Sequence, residues 1–326
     1  MSTKTDNLNN ETNQITDCTT HTNHANCANC VMKYPILNET SDVEVEDNIK
    51  NIEISFSGCI WRCPFYAGVY KGLIDLYGYD RVQQLKIGGT SSGSLMALGI
   101  VMGCRWEYLC DLYKKIVKYS DHYGIYGVAS IYVEIFLDKL IKNEDDYKKA
   151  NGRLFIGITK FFNNKVIISS WKNNDELKNT IRESTYIPYY VSRKMNTITI
   201  DGRLSGGPVK ISDNTIFISG NSDENCHIGT SMKFSMGEGL FTLKEPMLTK
   251  VFDDGYNATT NYFNKFDGTV DKLNITPVNN LIIMIAWIAY FLRYLVGDLV
   301  WVGLGLFLYE ILKKLIFLLA YLVFGK

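Results

Sequence analysis

Histidine is scarce in this chain: 326 residues hold only His21, His24, His122 and His227. That scarcity limits any mechanism built on a histidine base or a polyhistidine metal site. An excess of charge is missing too, since 34 Lys and Arg balance 34 Asp and Glu. Bulk nucleic-acid binding needs a positive surface to displace counterions, so no nucleic-acid partner is expected. The eight cysteines follow no regular framework, which argues against a disulfide-stapled secreted fold. Residues 1–30 contain no apolar run resembling a secretory signal core, Ser2 excludes N-myristoylation, and the last four residues carry no prenylation cysteine. These absences together lead to the expectation of a reducing, cytosolic compartment for the main body. Asn-X-Thr tripeptides such as that at Asn257 would carry no glycan there.

Three regions differ in composition: a polar tail (1–48), a mixed α/β region (49–275) and an apolar C-terminal segment (276–326). In residues 1–30, fourteen positions are Asn or Thr, too little apolar surface to offset ordering entropy, so disorder is expected. His21, His24, Cys27 and Cys30 have ligand types suited to zinc, but their tight spacing has no intervening fold to shape a site. Neither a metal nor a cofactor is therefore assigned.

From about Lys50, strand and helix patterns alternate. Strands are predicted at 51–57, 84–87, 153–159, 165–169, 197–200 and 215–219. Helices are predicted at 65–77, 92–103, 131–141 and 175–184, and a turn at Asn163-Asn164. This order implies an α/β sheet with helices on its faces.

Leu281 to Leu292 is twelve apolar residues without a charge. As a helix, Leu281 to Gly297 would extend about 26 Å, slightly short of a hydrocarbon core. Arg293 and Asp298 interrupt it, so a single span, a hairpin, an interfacial helix and terminal core helices all remain open.

The strongest local signal is Gly89-Thr90-Ser91-Ser92-Gly93, a Gly-X-Ser-X-Gly nucleophile elbow between a strand and a helix. A serine on so tight a turn is strained, and side chains two residues either side would clash. The following helix start offers N–H groups to a developing oxyanion. Three groups compete to be its base: His227 in a polar stretch, Asp201 at a strand end, and Asp254 before a helix through Tyr262.

Several segments in order resemble the patatin-like phospholipases, especially the animal branch of adipose triglyceride lipase and adiponutrin. They are Ile54 to Cys59 with Tyr66 to Val69, Lys86 to Ser94, Gly152 to Thr159, Tyr186 to Tyr190, and Ile200-Asp-Gly-Arg203. The resemblance implies a patatin-like sheet flanked by helices, with Ser91 as nucleophile and Asp201 as base in a dyad needing no histidine. It sets Asp254 in a later helical segment, outside the dyad. It also implies a lipid acyl hydrolase working through an acyl-enzyme, with Gly58, Cys59, Ile60, Arg62 and Ser92 as oxyanion-hole candidates. Its substrates would be phospholipid or acylglycerol esters of a membrane or lipid droplet. With the apolar C-terminal segment, it leads to an expected membrane-associated protein whose catalytic domain faces the cytosol.

The oxyanion loop departs from the family's glycine-rich pattern. Ile60 and Cys63 stand where glycines are expected, Pro64 follows, and Arg203 replaces the second glycine after Asp201. If those loop positions need positive φ, bulky residues strain the loop or tilt its donors away. A catalytically impaired lipid-surface binding protein and a lipid acyltransferase are the alternatives.

Overall fold

The computed structural model describes residues 52–160, 164–188, 190, 191, 198–222, 225–234, 238, 240–273, 284, 285, 287, 288 and 291. The expected tail 1–48, its His/Cys cluster, the Asn163 side of the turn and most of segment 276–326 lie outside them. Among the described residues, no helix is long and apolar enough to cross a membrane.

Among the described residues, seven strands form one mixed sheet: β1 (Glu53–Phe56), β2 (Ile87–Thr90), β3 (Leu154–Lys160), β4 (Asn164–Ile168), β5 (Thr199–Ile200), β6 (Thr215–Ser219) and β7 (Ile228–Gly229). The order is β4-β3-β2-β1-β6-β7, with β5 also on β3. β1, β2, β3, β6 and β7 run parallel; β4 and β5 run antiparallel to β3. β1 and β6 are buried along their whole lengths, as central parallel strands covered on both faces must be.

The register of β3 decides the site. β4 pairs with β3 from Ile156 to Lys160. On its other edge, β2 pairs only as far as Thr90↔Gly157, and β5 takes over at Thr159↔Ile200. The residues that follow β2 and β5, Ser91 and Asp201, therefore emerge beside each other.

The helices are α1 (Cys63–Tyr77), α2 (Tyr79–Val82), α3 (Ser92–Val101), α4 (Trp106–Tyr123), α5 (Ala129–Leu140), α6 (Asp146–Ala150), α7 (Asn174–Ser184) and α8 (Met247–Phe263). Three readings are corrected. The strand expected at 84–87 begins at Ile87 and runs through Gly88 and Gly89. The helix that the residue pattern places after Asp254 begins at Met247, which puts Asp253, Asp254 and Gly255 inside it, as the resemblance implies for Asp254. The 18-residue α4 has no counterpart among the predicted elements, although Leu109, Leu112, Tyr113, Ile116, Val117 and Ser120 form a buried stripe at helical spacing.

Helices α1 and α8 meet backbone to backbone. A Cβ on Gly68 would collide with the Phe252 carbonyl, and one on Gly255 with the Phe65 carbonyl. Gly68→Ala must push the helices apart and should cost about 3 kcal/mol, near the upper end for overpacking. Chemical denaturation would show it as a lower midpoint; an unchanged midpoint would mean that the helices do not pack this closely.

Candidate active site

Ser91 has φ 52° and ψ −131°, the left-handed backbone of a sharp strand-to-helix turn. The glycines around it are there for space. A Cβ on Gly89 would meet the backbone of Gly93 and Ser94, and one on Gly93 would meet the carbonyls of Phe56 and Ser57. The Ser91 carbonyl accepts from the Ser94 amide (2.9 Å) and hydroxyl (2.6 Å), while its own N–H donates to Ser184 Oγ at 2.9 Å.

Asp201 sits where β5 ends. Its N–H donates to the Tyr186 carbonyl (2.8 Å), and its carbonyl accepts from Thr159 Oγ1 (2.8 Å). Oδ1 accepts from the Arg203 amide at 2.9 Å, whereas Oδ2 is buried without a partner meeting ordinary hydrogen-bond geometry. Burial raises the Asp201 pKa from 3.8 to about 6, against the opposing pull of the Ser91 hydroxyl, the Arg203 amide and the Arg203 charge. The Ser91 hydroxyl thus favours the ionised form of this carboxyl, while burial opposes it. Gly58 closes the pair from the β1–α1 loop: a Cβ there would lie 2.8 Å from Ser91 Cβ and 3.1 Å from Arg203 Cβ.

The structure brings Gly58, Cys59 and Ser92 together around Ser91, with much of their bonding used internally. Cys59 N–H donates to Ser92 Oγ at 2.9 Å. Asn221 Nδ2 donates to the Gly58 carbonyl at 2.7 Å, and Arg62 reaches Asn221 Oδ1 at 2.8 Å and the Gly220 carbonyl at 3.4 Å. Its guanidinium also lies 4.6 Å from the Phe234 ring centre, so Arg62 is engaged at the end of β6. Ile60 has φ 56°. A β-branched residue held there stores strain of about 1–3 kcal/mol.

Beside Ser91 opens a cavity of about 90 Å³, lined by Ser91, Ser92, Ile60, Trp61 and aliphatic and aromatic side chains of α1, α3, α4 and α5; none of its lining residues is charged. Two tyrosines tie its rim together. Trp61 Nε1 donates to Tyr190 Oη, which donates to the Leu240 carbonyl at 2.8 Å. Tyr113 Oη donates to the Trp61 carbonyl (2.6 Å) and accepts from Leu243 N–H (3.1 Å). Tyr190→Phe leaves the indole N–H and the Leu240 carbonyl unpaired, so a loss of about 1–3 kcal/mol is expected. A melting temperature equal to that of the unaltered protein would refute it.

The competing bases lie elsewhere. His227 Nδ1 accepts from the Phe217 amide at 2.9 Å, which leaves Nε2 to donate to the Asp271 carbonyl at 2.9 Å. Desolvation lowers its pKa, consistent with a neutral ring bracing β6 and β7. Asp254 accepts from the Thr230 and Ser231 hydroxyls and holds the chain after β7. Among the described residues, no group of three or more His, Cys, Asp or Glu could hold a metal ion. Sequence reasoning missed Ser184 and Tyr113, which carry no local motif, and the bonding of Tyr190, although Tyr190 closes one of the resembling segments.

The family model described as Patatin-like phospholipase matches residues 54–220, about half of the chain. "Patatin-like phospholipase domain-containing protein 2" of Mus musculus is 29% identical over 236 residues, 62% of this chain and 48% of that protein. Its Homo sapiens counterpart is 28% identical over 258 residues, 69% of this chain and 50% of that protein. "Omega-hydroxyceramide transacylase" of Mus musculus is 28% identical over 142 residues, 42% of this chain and 24% of that protein. The chain spans about half the length of the first two relatives, or less.

Proposed function

The chain belongs to the patatin-like phospholipase family, and from that membership we propose that it is a lipid acyl hydrolase using Ser91 and Asp201. The observation that carries the reading is a strained serine lining an uncharged cavity beside a buried carboxyl whose Oδ2 has no partner. Asp201 takes the Ser91 proton as Oγ attacks an ester carbonyl, and returns it to the departing alcohol. Water then attacks the acyl carbonyl as Asp201 accepts its proton, and Asp201 returns that proton to Ser91 Oγ as the fatty acid departs. The Gly58 and Ile60 amides and the start of α3 are the proposed donors to the oxyanion. The cavity takes the acyl chain. With no charge in its lining and Arg62 engaged by Asn221, the site favours the uncharged ester end of a phospholipid or acylglycerol. The proposed location is a membrane or lipid-droplet surface, with segment 276–326 as the anchor and the catalytic domain facing the cytosol.

Two observations favour a second reading, that of a catalytically impaired lipid-surface binding protein. Ile60 is strained at φ 56°, and the Cys59 N–H is spent on Ser92. Interception of the acyl-enzyme by an alcohol instead of water would make the protein an acyltransferase, in line with the relative named a transacylase.

The test is labelling of the full chain with a fluorophosphonate, peptide mapping of the adduct, and assay of fatty-acid release from phosphatidylcholine vesicles and triacylglycerol emulsions. Adduct on Ser91 together with release supports hydrolysis. Folded protein that binds vesicles but neither labels nor releases acid would support the second reading. Release that becomes ester formation when a long-chain alcohol is added would identify the transferase.

A further inference from the structure

Ser184 is the last residue of α7, is fully buried, and belongs to none of the groups assigned above. Its hydroxyl makes two bonds: it accepts from Ser91 N–H at 2.9 Å and donates to the Gly157 carbonyl at 2.7 Å. The direction of both is forced, because an amide only donates, a carbonyl only accepts, and a serine hydroxyl has one proton. Gly157 is the last β3 residue paired with β2, opposite Thr90. Gly202 rests against the same carbonyl: a Cβ there would collide with it and would lie 3.1 Å from Ser184 Oγ. One hydroxyl therefore joins the turn that carries Ser91 to the strand beneath it, at the carbonyl on which the glycine following Asp201 also packs.

We infer that Ser184 is a positioning residue, whose hydroxyl holds the Ser91 backbone in its left-handed conformation and in register with Asp201. This role rests on the hydrolase reading, and its physical basis is the Ser91 amide. A buried N–H must find an acceptor, and the acceptor here is compatible with φ 52°. Without it the turn has less reason to keep that conformation, and Ser91 less reason to stay aligned with Asp201. The same bond commits the Ser91 amide to Ser184, so oxyanion donors have to come from elsewhere in the site.

Two variants of the full chain, Ser184→Ala and Ser184→Cys, test this. Alanine removes both bonds, whereas cysteine keeps nearly the same shape but hydrogen-bonds weakly, so it serves if alanine prevents folding. In either variant, kcat and the maximal fluorophosphonate labelling rate should fall about 10–100-fold with KM little changed. The Ser91 amide should exchange its hydrogen about tenfold faster or more. A purely structural role would lower the melting temperature without separating kcat from KM. Folded cysteine variant with unchanged labelling rate and unchanged Ser91 exchange overturns the inference. If the unaltered protein neither labels nor hydrolyses, the hydrolase reading falls; Ser91 exchange then still decides whether Ser184 holds the turn.

Discussion

With Ser91 replaced by alanine, kcat/KM for lipid ester cleavage should fall by about 10⁴-fold or more, as when a covalent nucleophile is removed elsewhere. The fold should survive. The bonds that hold this turn are made by the Ser91 amide and carbonyl, to Ser184 and Ser94, and neither involves its side chain. Alanine meets the same steric cost as serine at φ 52°, so the elbow gains no reason to relax. Initial rates of fatty-acid release, read alongside a thermal melt, separate the two effects. A well-folded variant retaining more than about a hundredth of the activity would contradict the role given to Ser91. Ser92 also lines the cavity, but its hydroxyl already accepts the Cys59 amide and lies 3.5 Å from Cys59 Sγ. An adduct moving to Ser92 would therefore show that the β1–α1 loop had rearranged.

The parts of this fold that were legible in the sequence are those whose pattern matches their burial. β6 fits the expected 215–219, and α7 lies within a residue of its expected start. β2 was displaced because its own residues, Ile-Gly-Gly-Thr, contain little apolar side chain, whereas the preceding Gln-Leu-Lys-Ile carries the alternation. Glycine is required there for reasons of tertiary structure: a Cβ on Gly88 would press on Ser55 and Val209. α4 was obscured by charges such as Glu107, Asp111 and Lys114 set between its apolar positions.

In the site, Ser91 was legible from its pentapeptide, but residues alone left Asp201, Asp254 and His227 in competition, and resemblance favoured Asp201. The physical reason for their adjacency is register. β2 and β5 share one edge of β3, and nothing in either segment announces that. The oxyanion loop was legible as a departure from pattern, and the positive φ of Ile60 gives that departure its physical content. Asn221, which holds both Gly58 and Arg62, lies about 160 residues away in the chain and had no signature.

Asp201→Asn should separate activity from stability. A base must be ionised to accept the Ser91 proton, so kcat/KM of the unaltered protein should rise as pH passes through about 6 and then level. Stability should move the other way. The folded-state pKa is raised, so the folded protein holds this proton more tightly than the unfolded chain does. The associated stability is fully present below about pH 4 and is lost as pH climbs through about 6. Moving the pKa from 3.8 to about 6 corresponds to about 3 kcal/mol lost by neutral pH. Asparagine cannot ionise and keeps an oxygen for the Arg203 amide, but it brings an NH₂ into the position where Oδ2 has no partner. After that amide cost, a net gain of about 1–2 kcal/mol at pH 7.5 is expected. Activity should meanwhile fall by about 10²–10⁴-fold, the contribution of a general base. Denaturant titrations of both proteins between pH 4.5 and 7.5 check the sign: the gap should widen in favour of asparagine as pH rises. A variant that is less stable at neutral pH, with no change in the gap across that range, would mean that Asp201 is not a strained buried carboxylate. Near-normal hydrolysis by the variant would pass the role of base to another group.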